Sequence, residues 1–366
     1  MRTLLLLIFF PVISSAQITP TLITTLATEV IETSGLMLYN DLLWTHNDAG
    51  NAAQIHQIDG NDGTVLRTVS ITNAENVDWE DITTDGTYIY IGDVGNNSGD
   101  RTDLKILRFP AILLDDPGVT EVEVEVINLS YEDQTSFEPA NNATNWDCEA
   151  LIAKDDSLFL FTKNWVDQQC RIYAVPAEPG THSAVFRGSH DVQGMITGAS
   201  LDPNSGRVIL IGYTNGLFVP FICTLSGWMN NAFFSGEVVR EALTLSFVQT
   251  EGVEWNGAGE VLLSNEASPL SAARLWSLSI TTSVGSIGTG DHDIQLWPNP
   301  AREHFTIKSS LPIRSMIIHD RVGREVQRSP VNYQKDIDVS ALPDGLYQVV
   351  FHDDRSIHEI DLIIQH

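Results

Sequence analysis

The chain has 366 residues and a formal net charge of −28, with 43% hydrophobic and 8% aromatic residues, which suits a globular protein with room for two domains. Residues 1–290 carry 12 Lys and Arg against 36 Asp and Glu, and residues 291–366 carry 8 against 12. Phosphate backbones repel so acidic a chain, which argues against nucleic-acid binding and leaves divalent cations and cationic ligands as easier partners.

The first 16 residues have the pattern of a secretory signal peptide. Arg2 supplies a positive charge, residues 4–12 form an apolar run, and small residues at 14–16 precede Gln17, as a cleavage site requires. The run is shorter than the ~20 residues of a membrane-spanning helix, and no later segment reaches that length. The sequence therefore predicts export, a mature chain that starts near Gln17, and no membrane span.

Residues 17–280 repeat one strand-rich unit five times. Each copy opens with a small or acidic residue beside an apolar one, continues into a strand rich in Ile, Leu, Val, Tyr and Phe, and reaches a polar cluster before the next strand. The copies open near Ser34, Glu80, Glu149, Gly198 and Glu251. Outer strands are predicted at 65–71, 122–131, 184–189 and 241–247, and residues 20–31 are available as the outer strand of the last copy.

Four strands in every roughly 45–55 residues are typical of a β-propeller blade. The sequence therefore predicts an all-β fold whose first domain is a propeller of five blades, or of six if one copy has diverged. A β-sandwich is the alternative fold. Residues 281–293 are rich in Gly, Ser and Thr, which predicts a flexible linker.

The three cysteines leave one unpaired if a disulfide forms. Because Cys148 and Cys170 flank one repeat, they are the favoured pair, with Cys223 as a buried thiol. The sequence has no CxxC motif or cluster of Cys and His, so a structural zinc site finds no support.

Residues 294–366 predict about seven short strands in a small immunoglobulin-like sandwich. Their motifs are Leu296-Trp297-Pro298-Asn299-Pro300-Ala301, Ile317-Ile318-His319-Asp320 and Leu342-Pro343-Asp344-Gly345-Leu346-Tyr347. This series resembles the type A C-terminal sorting domain of the type IX secretion system of Bacteroidetes. The resemblance implies contact with that secretion machinery and a protein that is secreted or held at the cell surface.

The propeller topology predicts where chemistry would take place. The innermost strand of a blade starts at the end of the channel where the second strand finishes, so polar residues at both points should surround one channel mouth. The predicted metal ligands are Glu80, Asp81, Asp93, Glu149 and Glu251, and the predicted ligand-binding residues are Asn47, Asp48, Lys163, Tyr213 and Asn265. Oxygen ligands of this kind suit Ca²⁺. The alternative is that these residues cap strand ends and form Asx-turns.

Four segments carry a second resemblance, which covers residues 30–280. The segments are His46-Asn47-Asp48, Asp78-Trp79-Glu80-Asp81, residues 92–97, and Asp147-Cys148-Glu149-Ala150-Leu151. They resemble largely uncharacterised secreted bacterial propellers that are described as phytase-like or esterase-like. The resemblance implies a metal-assisted hydrolase of esters or phosphoesters with His46 as general base. Lys163 is the only basic residue of the predicted ring, which weighs against a heavily phosphorylated substrate.

Three functions follow from these patterns. The first is an exported propeller that binds Ca²⁺ and a small-molecule or glycan ligand without turnover. The second is a metal-dependent ester hydrolase at the same mouth, and the third is a scaffold that binds proteins through its outer faces.

Overall fold

The computed structural model describes residues 17–257, 259–280, 294–309, 315–320, 324–330, 336–352 and 357–365. The predicted signal peptide and the predicted linker lie outside these residues. The chain divides into two compact units between residues 281 and 282.

The first unit consists of short antiparallel strands in four-stranded blades, with only 3₁₀ turns as helical structure among the described residues. Ahead of the blades lie β1 (Gln17–Ile18), β2 (Thr21–Thr25) and the 3₁₀ turn Thr28–Val30. Blade 1 comprises β3 (Thr33–Tyr39), β4 (Leu42–Asn47), β5 (Gln54–Ile58) and β6 (Val65–Ile71). Blade 2 comprises β7 (Trp79–Thr84), β8 (Tyr88–Asp93), β9 (Lys105–Pro110) and, after the 3₁₀ turn Ala111–Asp115 and β10 (Glu121–Val122), β11 (Glu125–Tyr131).

The remaining three blades follow the same order. Blade 3 comprises β12 (Cys148–Lys154), β13 (Ser157–Thr162), β14 (Cys170–Pro176) and β15 (Gly180–His190). Blade 4 comprises β16 (Met195–Leu201), β17 (Val208–Tyr213), β18 (Pro220–Ser226) and, after the 3₁₀ turn Phe233–Ser235, β19 (Glu237–Leu243). Blade 5 comprises β20 (Thr250–Trp255), β21 (Glu260–Asn265) and β22 (Arg274–Ser279), with β2 as its outer strand.

The five blades close into a ring. Each innermost strand packs beside the next in the series β3, β7, β12, β16 and β20, and β20 packs beside β3. The outer strand of blade 5 comes from the N-terminal segment, because β2 pairs antiparallel with β22. The prediction of a propeller is confirmed, and the described strands form the five blades that the repeats indicated.

Three outer strands differ from their predicted bounds, and the one predicted over 184–189 is the longer strand Gly180–His190. The segment predicted as one strand over 122–131 is divided: β10 pairs parallel with β6 of blade 1, whereas β11 completes blade 2. The strand predicted over 241–247 is Glu237–Leu243 instead, and residues 244–249 form the connection into blade 5. Short connections carry few sequence signals that fix a strand end, so these bounds depend on pairing.

The apolar core consists of one cluster between each pair of neighbouring blades. Ile89 and Ile91 of β8 pack towards blade 1, while Tyr90 between them packs towards blade 3. Because second strands such as β13 and β17 are buried on both faces, their sequences are nearly continuous apolar runs. Burial of such side chains is worth about 1.5–3 kcal/mol each, which makes the inter-blade clusters the main stabilising contribution of the ring.

The predicted Cys148–Cys170 disulfide is wrong, because all three cysteines are free and buried. Cys148 packs in the cluster between blades 2 and 3, and Cys170 packs with Cys223 between blades 3 and 4. The two side chains of the predicted pair therefore lie on opposite faces of blade 3, an arrangement that a disulfide cannot bridge.

The second unit has two sheets over one core. Its strands are β23 (Ile294–Trp297), β24 (His304–Ser309), β25 (Ser315–His319), β26 (Glu325–Pro330), β27 (Asp336–Asp338), β28 (Gly345–His352) and β29 (Ile357–Ile364). The sheet orders are β23-β24-β27 and β26-β25-β28-β29. Phe305 of the first sheet and Phe351 of the second belong to the same apolar cluster, as expected of a sandwich.

Within the described residues, no helix has the length and apolar character that crossing a membrane requires.

Candidate functional site

Every blade has a β-bulge at the same place, where its innermost strand begins. In blades 2 and 3 the extra residue is Glu80 and Glu149, and in blade 4 it is Thr197. In blades 1 and 5 the irregularity falls between Thr33 and Leu36 and between Thr250 and Val253, and so includes Ser34 and Glu251. A bulge leaves one residue out of the strand pairing and redirects its side chain. The five bulges therefore repeat one local geometry at the predicted channel mouth.

Two of the five bulge residues stabilise the ring instead of offering a free group. The Ser34 hydroxyl donates to the Glu80 carbonyl oxygen at 2.7 Å, and the Thr197 hydroxyl donates to the Thr250 carbonyl oxygen at 2.6 Å. Both bonds link neighbouring blades. The other three bulge residues are Glu80, Glu149 and Glu251, and all three are buried.

The three glutamates converge with four further carboxyl groups around one mouth. Glu80 lies in the electrostatic field of Glu149, and Glu149 in that of Glu251. We call the following seven residues the mouth carboxylates: Asp48, Asp78, Glu80, Asp147, Glu149, Glu251 and Glu266. Side chains from four of the five blades and from their connections thus meet at one point, as the topology predicted.

The tightest part of this cluster is formed by Asp48, Asp78 and Glu80, whose carboxylate oxygens lie within 4.8 Å of one another. We call these three residues the carboxylate triad. Glu80 is only 4% exposed, and among the described residues no donor is hydrogen-bonded to its carboxylate. Gly95 lies against the triad: a Cβ atom there would stand 2.1 Å from Glu80 Oε1 and 2.4 Å from Asp78 Oδ2. Glycine is therefore required at position 95 for the two carboxylates to approach the backbone.

Lys163 is the cation of the mouth. Its Nζ donates to both carboxylate oxygens of Glu149 at 2.7 Å. The same atom lies 5.0 Å from the ring centroid of Trp165 and 5.5 Å from that of Tyr213, within cation–π range. Burial lowers the pKa of Lys163, but Glu149 and its other anionic neighbours outweigh burial and raise that pKa well above the usual range. The mouth therefore holds an ammonium group in place by carboxylate and aromatic contacts.

Protons remain in the mouth at higher pH than on free carboxylic acids. Burial raises the pKa of Asp78 to about 7, with a further contribution from Asp48. Burial also raises the pKa of Glu266 to about 7 and that of Glu80 well above its usual range, the latter with help from Glu149. Desolvation and like charges both favour the protonated form. A cation bound among these groups would displace the protons.

Asp81 and Asp93 have other partners. Asp81 Oδ2 accepts from the backbone N–H of Leu151 at 2.8 Å and of Ala199 at 3.3 Å, so its carboxylate lies inside the ring between three innermost strands. Asp93 is neutralised by Arg101 and Lys105, each at 2.9 Å. The structure thus places neither predicted metal ligand in the carboxylate triad.

His46 lies inside the first inter-blade interface. It is fully buried, and its ring packs edge to face on Trp79 at a centroid distance of 5.7 Å. Burial lowers its pKa to about 4, so the imidazole is neutral at physiological pH. His46 Nδ1 is 3.1 Å from the Asn47 carbonyl oxygen, and no hydrogen bond to a mouth carboxylate joins it within the described part of the chain.

The predicted ligand-binding residues divide into two groups. Asp48, Lys163 and Tyr213 are part of the mouth, whereas both amides support loops. Asn47 Nδ2 donates to the Glu29 carbonyl oxygen at 2.8 Å. Asn265 donates to the carbonyl oxygens of Glu266 and Ala272 and accepts from the Trp276 indole. These two asparagines follow the alternative interpretation, in which polar residues satisfy loop backbone groups.

Asp78 and Asp147 were not among the predicted site residues, and Glu266 was placed in the predicted ring without a ligand role. Asp147 Oδ1 accepts from the Asn96 backbone N–H at 2.6 Å, and its Oδ2 accepts from the Trp165 indole at 2.8 Å. A signal for two of the three exists in the sequence. Asp78 precedes Glu80 by two residues and Asp147 precedes Glu149 by two, so an Asp-x-Glu pattern opens both blades.

The second unit matches a known family. Residues 295–365 match the secretion system C-terminal sorting domain, which confirms the sorting-domain prediction. The protein is therefore exported, to the cell surface or as a secreted protein. The match also implies an interaction with the secretion machinery.

Solved structures with a similar backbone fold include β-rich proteins of several kinds. The endo-arabinase from Bacteroides thetaiotaomicron is 12% identical, with a TM-score of 0.39 over 72% of this chain and 97% of its own. The exo-beta-1,3-galactanase from Phanerochaete chrysosporium is 9% identical, with a TM-score of 0.41 over 90% of each chain. RS223-Beta-xylosidase is 11% identical, with a TM-score of 0.41 over 70% of this chain and 94% of its own. No conclusion about activity rests on similarities of this size. No curated protein matches the sequence.

Proposed function

We propose that this exported propeller is a binding protein whose mouth holds a divalent cation, Ca²⁺, at the carboxylate triad. Asp48, Asp78 and Glu80 would be its protein ligands. Glu149 and Glu251, which sequence reasoning also named as ligands, border the same mouth, and Lys163 already balances part of their charge. The bound ligand would meet the cation at this mouth.

The observation that carries the proposal is Glu80. Its side chain is buried, which makes a charge there costly, and two further carboxylates offer oxygens within 4.8 Å of its own. Like charges at this distance cannot all stay ionised without a cation. The direct contact of Lys163 is with Glu149, and the fields of Lys163 on Asp48 and of Arg101 on Asp78 compensate the triad only in part, since the pKa values of both aspartates remain raised.

The donor set favours Ca²⁺ among common metal ions. All three side chains offer carboxylate oxygens, which hard cations prefer, and Ca²⁺ tolerates irregular geometry with six to eight oxygen ligands. The three cysteines are buried in apolar clusters, and the triad contains no histidine. Soft metals and zinc therefore find fewer suitable ligands here.

Calorimetric titration of the exported protein with Ca²⁺ tests the proposal. We expect saturable binding at pH 8 with about one cation per chain. Glu80→Gln should lower the affinity at least about tenfold, because even outer partners of metal ligands are worth that much. Glu254→Gln is the control, since Glu254 is a partly buried carboxylate outside the triad and accepts a hydrogen bond from the Ser200 hydroxyl. The absence of a heat of Ca²⁺ binding, or an equal loss of Ca²⁺ affinity in the two variants, would contradict the proposed site.

A metal-dependent ester hydrolase is the second candidate, and Asp78 is the observation that favours it. In this candidate Asp48 and Glu80 alone would hold the cation, and Asp78, whose pKa burial raises to about 7, would be the general base. His46, the base expected from the family resemblance, is enclosed between blades 1 and 2. Turnover of carboxylate or phosphate esters in the presence of Ca²⁺, abolished in Asp78→Asn but retained in His46→Gln, would establish an enzyme. If none of the esters is hydrolysed while Ca²⁺ still binds, the hydrolase is ruled out and the binding protein is supported.

A further inference from the structure

The connections on the mouth side of the propeller can be identified from its topology. Strands alternate in direction within each blade, so the connection from the second to the third strand runs on the mouth side. The connection from one blade into the innermost strand of the next runs there too. Lys163 and Glu266 belong to connections of the first kind, and Asp78 and Asp147 belong to the second kind.

These connections carry a set of large apolar side chains that face solvent. Each of the six is at least 41% exposed, and Leu270 reaches 76%. We call them the apolar rim: Val77, Phe137, Val166, Leu217, Phe247 and Leu270. All but Phe137 lie within four residues of Asp78, Lys163, Tyr213, Glu251 or Glu266 along the chain, on the same mouth-side connections. Single exposed apolar side chains are ordinary, but several around one charged opening indicate an interaction surface.

The charge inside the rim is negative at pH 8, which lies above the pKa of about 7 that Asp78 and Glu266 have. Seven mouth carboxylates face one ammonium group, that of Lys163. If all seven are ionised and one divalent cation is bound as well, four negative charges remain. An anionic partner would be repelled, and a cationic one attracted.

Lys163 itself indicates which cation fits. Its ammonium group lies 2.7 Å from both Glu149 oxygens and over the faces of Trp165 and Tyr213. The mouth is thus lined by groups that bind a basic side chain within one protein. The same groups are the usual partners of Lys and Arg between proteins.

We propose that the mouth and the apolar rim together form a docking surface for a protein segment that presents a basic side chain flanked by apolar residues. The basic group enters among the mouth carboxylates, and its apolar neighbours cover the rim. Rim residues come from the connections of several blades, so the surface is broader than a small ligand and suits a polypeptide. At pH 8 the proposal does not depend on the metal, because carboxylates outnumber the single ammonium group of the mouth with or without a bound cation.

Fluorescence anisotropy with three labelled dodecapeptides tests the docking surface. One peptide alternates Leu and Arg, the second Ser and Arg, and the third Leu and Glu. We expect the Leu/Arg peptide to bind at least about tenfold more tightly than the other two, since both the apolar and the cationic parts act as anchors. This order should hold in Ca²⁺ and in EDTA.

Variants locate the binding on the molecule. Leu217→Ser combined with Leu270→Ser should weaken the Leu/Arg peptide about tenfold or more, and Glu251→Gln should weaken it as well. The control is Ile112→Ser combined with Met229→Ser, which removes two equally exposed apolar side chains from connections on the opposite side. The control should bind as the unchanged protein does.

Two results would overturn the docking surface. One is an equal loss of affinity for the Leu/Arg peptide in the rim and control variants. The other is equal affinity for the Ser/Arg and Leu/Arg peptides, which would show that net charge alone accounts for binding. If the expected pattern appears while calorimetry finds no Ca²⁺ site, only the metal proposal fails. If Ca²⁺ binds and the peptide pattern is absent, only the docking proposal fails.

Discussion

Lys163 and Glu149 show how one pair of side chains affects both stability and function. Both are buried, and the ammonium group contacts both oxygens of the carboxylate at 2.7 Å. A buried ion pair of this kind adds little net stability, because desolvation of both charges offsets their attraction. Removal of one partner is nevertheless costly, because the remaining side chain would be a buried unpaired charge.

Lys163→Met should therefore destabilise the protein by about 3–5 kcal/mol at pH 8, the usual cost of breaking a buried pair. The loss should shrink at pH 5, because burial raises the pKa of Glu149 well above its usual range and the carboxyl group protonates. Urea unfolding measures both values. Lys154→Met is the matched control: its partner Asp155 is largely exposed, and such pairs contribute about 0–1 kcal/mol. Equal effects of the two substitutions would show that Glu149 does not need its partner.

At the scale of elements, the feature that governs the ring is its closure by the N-terminal segment. β2 pairs with β22, and β1 adds to the edge of blade 4 by parallel pairing with β19. Without β2, blade 5 would have three strands and an unpaired edge at β22. Leu26, which follows β2, also packs with Leu43 and Leu275 in the cluster between blades 5 and 1.

Removal of residues 17–25 should lower the thermal midpoint markedly and make the last blade the first region to be cut by protease. The reason is that pairing and burial at the seam between blades 5 and 1 are lost together. Calorimetry and limited proteolysis followed by mass spectrometry would measure these effects. A synthetic peptide of residues 17–27 added in trans should restore protection. A truncated protein that melts and is cleaved like the full chain would show that the seam does not need β2.

The bulges show how far sequence could predict the site. Glu80, Glu149 and Glu251 recur at equivalent points of the repeats, so their convergence could be inferred from the repeat alone. Glu80 and Asp81 are neighbours, yet one bulge sends Glu80 to the mouth and leaves Asp81 inside the ring. A shift of one residue in the strand pairing decides which of the two side chains faces the mouth. The sequence pattern of a strand does not fix the pairing to within one residue.

Pairing across strands explains two further differences. Asp93 is opposite Lys105 in the β8–β9 register, a pairing that depends on the length of the intervening loop. The faces of Cys148 and Cys170 likewise depend on where β12 and β14 begin. Composition predicted the acidic character of the chain, the repeats predicted the strand-rich fold, and the motifs predicted the tail. It could not predict which acids would already be neutralised.

At the scale of the whole molecule, the mouth links stability to pH. Asp78, Glu80 and Glu266 all have raised pKa values in the folded protein. Between about pH 4 and pH 7 the folded state thus keeps protons that the unfolded chain releases, and stability falls as pH rises. This is opposite to the usual behaviour of carboxylates that are held in ion pairs.

The thermal midpoint in EDTA should accordingly decrease from pH 5 to pH 8 by several degrees, if about 1 kcal/mol or more is involved. Ca²⁺ should raise the midpoint at pH 8 far more than at pH 5, where protons compete for the same oxygens. Differential scanning calorimetry at three pH values checks this. Glu80→Gln should flatten the dependence in EDTA. A midpoint that is flat with pH, and a Ca²⁺ effect of the same size throughout, would contradict the linkage.

Closure by β2 also fixes an order of events during biogenesis. β2 cannot take its place in the ring until its partner β22 has been made, some 250 residues later along the chain. Until then β2 has no partner strand in blade 5. We expect a bulky domain fused before residue 17 to slow the pairing of β2 with β22. The ring of blades is therefore completed only when the N-terminal strand β2 pairs with β22 of the last blade.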